Sequence, residues 1–180
     1  LLGKPLKDIL GVYLGQTSDS MAWGTLNYNS PSIFTLFPYG TQFPSVTSKL
    51  AIFAAFLFMA VILALLLWNR RRITDRAWVL AGACLSLGIP FFLPYMHERY
   101  FFLGGVLLAV WALSRPRQAA AAAAAELASL GGYHAYLMQR YVLVLSFFGH
   151  TWTQLTEGLL MATALAYTTA SLITELQPDA

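Results

Sequence analysis

The 180 residues are 58% hydrophobic and 11% charged, with a formal net charge of +3 and a mean hydropathy of +0.60. Soluble domains carry roughly 25% charged residues, so this composition excludes an ordinary soluble domain and points to an integral membrane protein of one small helical bundle. The charge is small and its basic residues lie where membrane topology explains them, which leaves no nucleic-acid partner to invoke.

The chain enters mid-pattern at Leu1, without an initiator Met or a signal-peptide pattern. The expectation is a fragment of a longer protein whose N-terminal part is missing. Leu6, Ile9, Leu10, Tyr13 and Leu14 share one helical face, and Pro5 suits a first helical position. Residues 5–14 therefore predict a short amphipathic helix lying on a membrane surface. The following stretch, GQTSDSMAWGTLNYNSPSIFTLFPYGTQFPS, mixes Pro, Gly, Ser and Asn with aromatic rings. It reads as a structured loop at the water interface, where Trp and Tyr settle. Either it is an aromatic belt and nothing more, or it forms the wall of a substrate cleft. Residues 1–45 thus form an extracytoplasmic helix and loop, and 46–180 a transmembrane bundle.

Five spans are expected, at about 50–68, 77–95, 100–114, 119–139 and 156–174. The first holds twelve Leu, Ile, Phe or Val residues, on the order of −4 to −7 kcal/mol for insertion. The fourth opens on seven alanines, a close-packing surface or simple coding bias. An alternative fourth crossing at 133–149 would leave Arg140 near the bilayer centre at about 3 kcal/mol or more, so 119–139 is preferred. The fold class is all-α: a membrane bundle of about five transmembrane helices with an N-terminal amphipathic helix and a structured outer loop.

Arg70, Arg71, Arg72, Arg76, Arg115 and Arg117 are six of the eleven basic residues and fall in two short loops. The positive-inside rule makes those loops cytoplasmic. His97, Glu98 and Arg99 then lie on the extracytoplasmic side. From Arg99 to Arg115 the helix rises only about 24 Å against a hydrocarbon core of about 30 Å. The short third span should draw the triplet slightly below the outer interface. Pro90 and Pro94 loosen the end of the second span, and irregular backbone at that depth implies a polar cavity. Two readings remain open from these residues: a sharp turn with Glu98 paired to Arg99, or an anion site in which Arg99 and His97 donate to a phosphate and Glu98 orients them.

Other polar residues weigh less. Cys84 is the sole cysteine, so no internal disulfide forms, and no metal-ligand spacing exists. His134 reads as helix packing, and Glu126 as an acid buried among helices near the cytoplasmic half. His150 and Glu157 read as solvated ends of the last outer loop, with cavity lining as the alternative.

PYMHERYFF after a proline-broken helix resembles a signature of the polytopic membrane glycosyltransferases of the C-type superfamily. The likeness is to bacterial and archaeal relatives of the mannosyltransferases that use polyprenyl-phosphate sugars. LNYNSPSIFTLFPY, with Asn29 and Pro31, is similar to an Asn-x-Pro outer loop found before the late helices of such proteins. The resemblance covers residues 1–115 and implies the C-terminal part of a transferase moving a hexose, with mannose the expected sugar, to an extracytoplasmic acceptor. It implies that His97 and Arg99 contact the donor phosphate with Glu98 orienting them, and that Tyr28, Asn29, Tyr95 and Tyr100 line the cleft. The superfamily's catalytic acid lies in a first outer loop that has no counterpart here. Asp8, Asp19, Glu98 and Glu157 are the outer-side acids, and none is assigned as base. The catalytic residue stays unknown, and the fragment is not expected to act alone. No cofactor is implied beyond the lipid-linked donor, and the place is a cytoplasmic membrane of prokaryotic type. The rival classes are a transporter or flippase, which should show paired broken helices, and a non-catalytic membrane subunit.

Overall fold

A computed structural model describes residues 26–28, 30–37, 41, 43–138 and 149–177. The amphipathic segment 5–14, Asn29 and Arg140 lie outside the described residues. The described chain is mostly helical, with five α-helices: α1 (Ser45–Trp68), α2 (Asp75–Phe92), α3 (Phe102–Ser114), α4 (Ala119–Met138) and α5 (Gly149–Leu176). Two segments, Ser45–Trp68 and Thr153–Leu176, are long and apolar enough to cross a membrane. The 13 residues of α3 rise about 20 Å, less than a hydrocarbon core of about 30 Å, and α3 is not one of these two segments.

Each boundary has a local cause. Thr74 caps α2: its Oγ1 accepts the Ala77 N–H at 3.1 Å, and Asp75 adds a negative charge to the first turn. Pro90 sits inside α2, and the helix stops before Pro94, whose ring forces Leu93 into extended backbone (φ −67°, ψ 138°). Tyr95 then takes a left-handed conformation, φ 62°, rare for a bulky residue. Its N–H donates to the Leu26 carbonyl at 2.9 Å.

That reversal feeds a feature absent from the all-α expectation. Asn27–Tyr28 (β1) pairs in parallel with Met96–His97 (β2), with Asn27 opposite Met96 and Tyr28 opposite His97. Two residues per strand carry no alternation for a sequence to display. A 3-10 turn, Glu98–Phe101, leads into α3, and another, Pro116–Gln118, joins α3 to α4.

Helices α2, α3, α4 and α5 pack in a ring, each against the next, with α1 set against α2 outside it. Leu80, Cys84, Leu87, Phe101, Leu108, Met161 and Leu172 fill the centre. The alanine run serves close packing: Ala121, Ala122, Ala125 and Ala128 are buried, which lets α4 approach its neighbours. The bundle has a triplet end, where α2 gives way to α3, and an arginine end, where α1 gives way to α2 and α3 to α4.

Candidate functional site at the triplet end

The triplet's three side chains have three different environments. His97 is half-buried and Arg99 exposed, while Glu98 is 3% exposed. Glu98 turns to His97, its Oε2 lying 4.0 Å from Nδ1, and no Glu98–Arg99 ion pair forms. At 4.0 Å that contact is beyond hydrogen-bond range, and Oε2 has no hydrogen-bond partner among the described residues. An unsatisfied buried polar atom costs about 1–3 kcal/mol. The chain thus holds a carboxylate against the inner side of His97, leaving the outer side of the triplet to His97 and Arg99.

Tyr100 joins the two. Its ring centroid is 6.1 Å from that of His97 and 5.7 Å from the guanidinium carbon of Arg99, a cation–π distance. The same ring forms part of an open groove of about 250 Å³, together with Leu85, Ser86, Ile89, Pro90, Met96 and Leu103. The groove is apolar along most of its length. Pro90 cannot donate to the Ser86 carbonyl one turn earlier, so α2 continues along the groove with one helical hydrogen bond missing. The two donor side chains thus meet the greasy slot between α2 and α3 through Tyr100, which each of them contacts and which lines it.

The remaining cleft candidates divide. Tyr28 places its backbone beside His97 through the parallel pair. Tyr95 holds the left-handed turn one residue before the groove wall begins. Residues 27–28 and 96–97, one pair from each stretch that carries the resemblance, are thereby brought side by side. Beyond the pair, the Asn27 carboxamide oxygen accepts from the Ser30 N–H at 3.1 Å and from the Ser32 hydroxyl at 3.4 Å. Residues 30–32 are buried, and the 3-10 turn Ile33–Leu36 rests on α5.

That docking exposes a residue which sequence reasoning placed wrongly. Glu157 is not a solvated loop end: it lies within α5, 4% exposed, and neither carboxyl oxygen has a partner among the described residues. Its carboxyl fills the notch left by Gly131 on α4, where a Cβ would collide with it, and the next residue, Gly158, leaves room for Thr35. The signal was present in the spacing. Thr153, Glu157, Met161, Ala164, Thr168 and Leu172 are all buried and recur at three or four residues, which is one helical face. His134 also buries a ring nitrogen, Nε2, without a partner. Glu126 is half-buried and packs its carboxyl against Gly105. Cys84 is buried with its Sγ 3.7 Å from the Thr169 hydroxyl. Among the described residues no cluster of three or more His, Cys, Asp or Glu could hold a metal.

Comparison with known proteins finds no matching family model, no matching curated protein and no matching solved structure.

Proposed function

We propose that the chain is the C-terminal part of an integral-membrane glycosyltransferase that takes a hexose, with mannose the expected sugar, from a polyprenyl-phosphate donor to an acceptor outside the cytoplasmic membrane. The observation that supports this reading most is the juxtaposition at the triplet end: His97 and Arg99 flank Tyr100, and Tyr100 opens onto the apolar groove. A lipid phosphate has the same two-part character, an anion joined to a long hydrocarbon tail. Arg99 offers a planar fork matched to phosphoryl oxygens, and His97 adds a second donor. The tail follows the groove toward Leu85 and Ile89.

In the transfer, the bond between the anomeric carbon and the phosphate oxygen breaks while the acceptor hydroxyl oxygen bonds to that carbon. The polyprenyl phosphate leaves with an added negative charge, and the hydroxyl proton passes to a base. Donors fixed at His97 and Arg99 stabilise the charge as it develops, an effect for which a single donor is worth about 10²–10³ in rate. Glu98, held against His97, orients the imidazole. The arginine loops at the opposite end set the site on the extracytoplasmic face.

The test is transfer from a radiolabelled polyprenyl-phosphate sugar by purified full-length protein and its folded variants. Arg99→Ala and His97→Ala should each slow transfer by about 10²-fold. Arg99→Lys should recover only part of the loss, because the charge returns without the fork. Near-normal rates and donor affinity in both alanine variants overturn the reading. Sidedness is checked by an impermeant thiol reagent, which should leave a cysteine at position 73 unlabelled from outside intact cells.

A further inference from the structure

A second pocket lies at the arginine end, about 320 Å³ in volume, between the last turn of α3, the Pro116–Gln118 turn and the last turns of α5. That is the small end of the range for ligand sites, about 300–1,000 Å³. Arg115, Gln118, Tyr167, Ser171, Thr174 and Glu175 supply its polar wall, and Trp111 closes it. Opposite charges face this space without meeting: Arg115 and Glu175 make no ion pair within 4.0 Å, the sole such contact among the described residues being His97–Glu98. Trp111 is 5% exposed, and its indole N–H is buried without a hydrogen-bond partner among the described residues. An indole nitrogen can only donate. The buried Gln118 side-chain oxygen is likewise without a partner.

The placement of Glu175 sharpens the point. It stands in the last turn of α5, where the helix dipole disfavours negative charge. One carboxyl oxygen accepts from Thr74 Oγ1 at 3.3 Å, and no cation of the described chain answers it. Arg115, at the C-cap of α3, has the sign its helix end favours, is exposed and makes no ion pair among the described residues. The pocket thus brings a cationic donor, Arg115, and an anionic acceptor, Glu175, into one lining. A phosphate alone would satisfy Arg115 and leave Glu175 facing like charge. An amine alone would do the reverse.

We propose that this pocket binds a phosphoethanolamine group, and that its source is the headgroup of a phosphatidylethanolamine in the leaflet on the arginine side. The phosphate accepts from Arg115, and the primary ammonium donates to Glu175. A trimethylammonium headgroup has no N–H to donate, and a glycerol headgroup carries no cation, so the pocket separates three common lipids by chemistry. The inference rests on the reading of the chain as a membrane protein and is independent of the transferase reading.

The experiment is native mass spectrometry of the full chain, purified in detergent and equilibrated with an equimolar mixture of phosphatidylethanolamine, phosphatidylcholine and phosphatidylglycerol. Phosphatidylethanolamine should be retained about tenfold or more over the other two, as one charge-assisted hydrogen bond implies. Glu175→Gln should erase the preference over phosphatidylcholine, and Arg115→Gln should lower retention of every phospholipid. Arg115→Lys keeps the charge without the fork, so it should weaken retention in part and serves if Arg115→Gln fails to fold. Free phosphoethanolamine serves as the second probe. Its retention without that of the lipid assigns the pocket to a soluble zwitterion and overturns the lipid source. Equal retention of all three lipids, or unchanged preference in Glu175→Gln, overturns the site itself. Protein that stays dispersed in water without detergent overturns the membrane reading along with it, an outcome that transfer assays are not needed to recognise.

Discussion

Helices α1 and α5 both contain a segment long and apolar enough to cross a membrane, yet they are built on different terms. Along α1, Phe53, Phe56, Leu57, Val61, Leu63 and Leu67 are exposed, and the helix packs mainly on α2 through Ala55, Ile62 and Leu66. Helix α5 packs against α2, α4 and the Ile33–Leu36 turn. It buries Thr153, Gln154, Glu157 and Thr168 on the same side as Met161, Ala164 and Leu172. Lipid tails are as apolar as leucine, so apolar side chains alone give a helix no reason to choose one neighbour over another. A uniformly greasy surface specifies a span, whereas a stripe that mixes small, polar and apolar residues specifies partners. The candidate groove lies between α2 and α3, whose buried faces mix small with large residues.

The same substitution on each helix should break this comparison if it is wrong. Leu172→Ala, at a position with 0% exposure, should lower stability by about 2–5 kcal/mol because a packed cavity opens. Leu67→Ala, 70% exposed on α1, should stay within about 0.5 kcal/mol. Thermal unfolding in a fixed detergent compares them directly. A large loss at Leu67 would mean that α1 is covered by protein in the native state.

The contrast also explains what could be read from residues alone. All five helices announce themselves as apolar runs, and α1 most loudly, because hydrophobicity is a sum over many residues. Helix α5 begins at Gly149 rather than near 156 because Thr153 and Gln154 look like loop residues and are in fact buried. A simple count of apolar residues misses a polar stripe; the three- and four-residue spacing through Glu157 does not. The β1–β2 pair was illegible for a different reason. It joins residues 27–28 to 96–97 by main-chain bonds, and main-chain bonds leave no mark on side-chain pattern. His97, Glu98 and Arg99 stood out as charge in a greasy context, but Met96 and Leu103, which line the groove beside them, are indistinguishable in sequence from any other apolar residue.

A smaller effect tests whether α5 anchors the loop that carries β1. Gly158 leaves space that Thr35 Oγ1 enters, with the Ser32 carbonyl 3.3 Å from where a Cβ would stand. Gly158→Leu should cost about 1–3 kcal/mol by overpacking. It should also raise protease cleavage between residues 26 and 37, since the turn loses its seat on α5. Unchanged protection there would show that the β1–β2 pair alone holds the segment.

Thr74 offers a finer probe, because it ties α2 to α5 rather than to α1. One hydroxyl both caps α2 through the Ala77 N–H and donates to Glu175. Thr74→Ala should cost about 1 kcal/mol, and Thr74→Ser should restore nearly all of it, since the oxygen returns. Unfolding midpoints of the three proteins decide this. A serine variant as weak as the alanine one would place the energy in the lost methyl group instead.

The smallest expected change in stability falls at the residue where α5 differs most from α1. Glu157 is buried in the Gly131 notch, and both of its oxygens are without a partner among the described residues. Replacing it with an isosteric amide removes no hydrogen bond that these residues supply. Glu157→Gln should therefore unfold at the same temperature as the unaltered protein or slightly above it, within about 1 kcal/mol, since a poorly satisfied buried acid is a liability. A buried acid that adds no stability, one residue before the Gly158 seat of Thr35, should instead show itself in transfer. The glutamine variant is expected to lose rate while keeping its fold, a separation that Leu172→Ala cannot produce. A marked fall in its melting temperature would mean that the carboxylate is bound by a group beyond the described residues. An unchanged rate would confine Glu157 to packing, and the polar stripe of α5 would then end at Thr168 and Thr153 as structure alone.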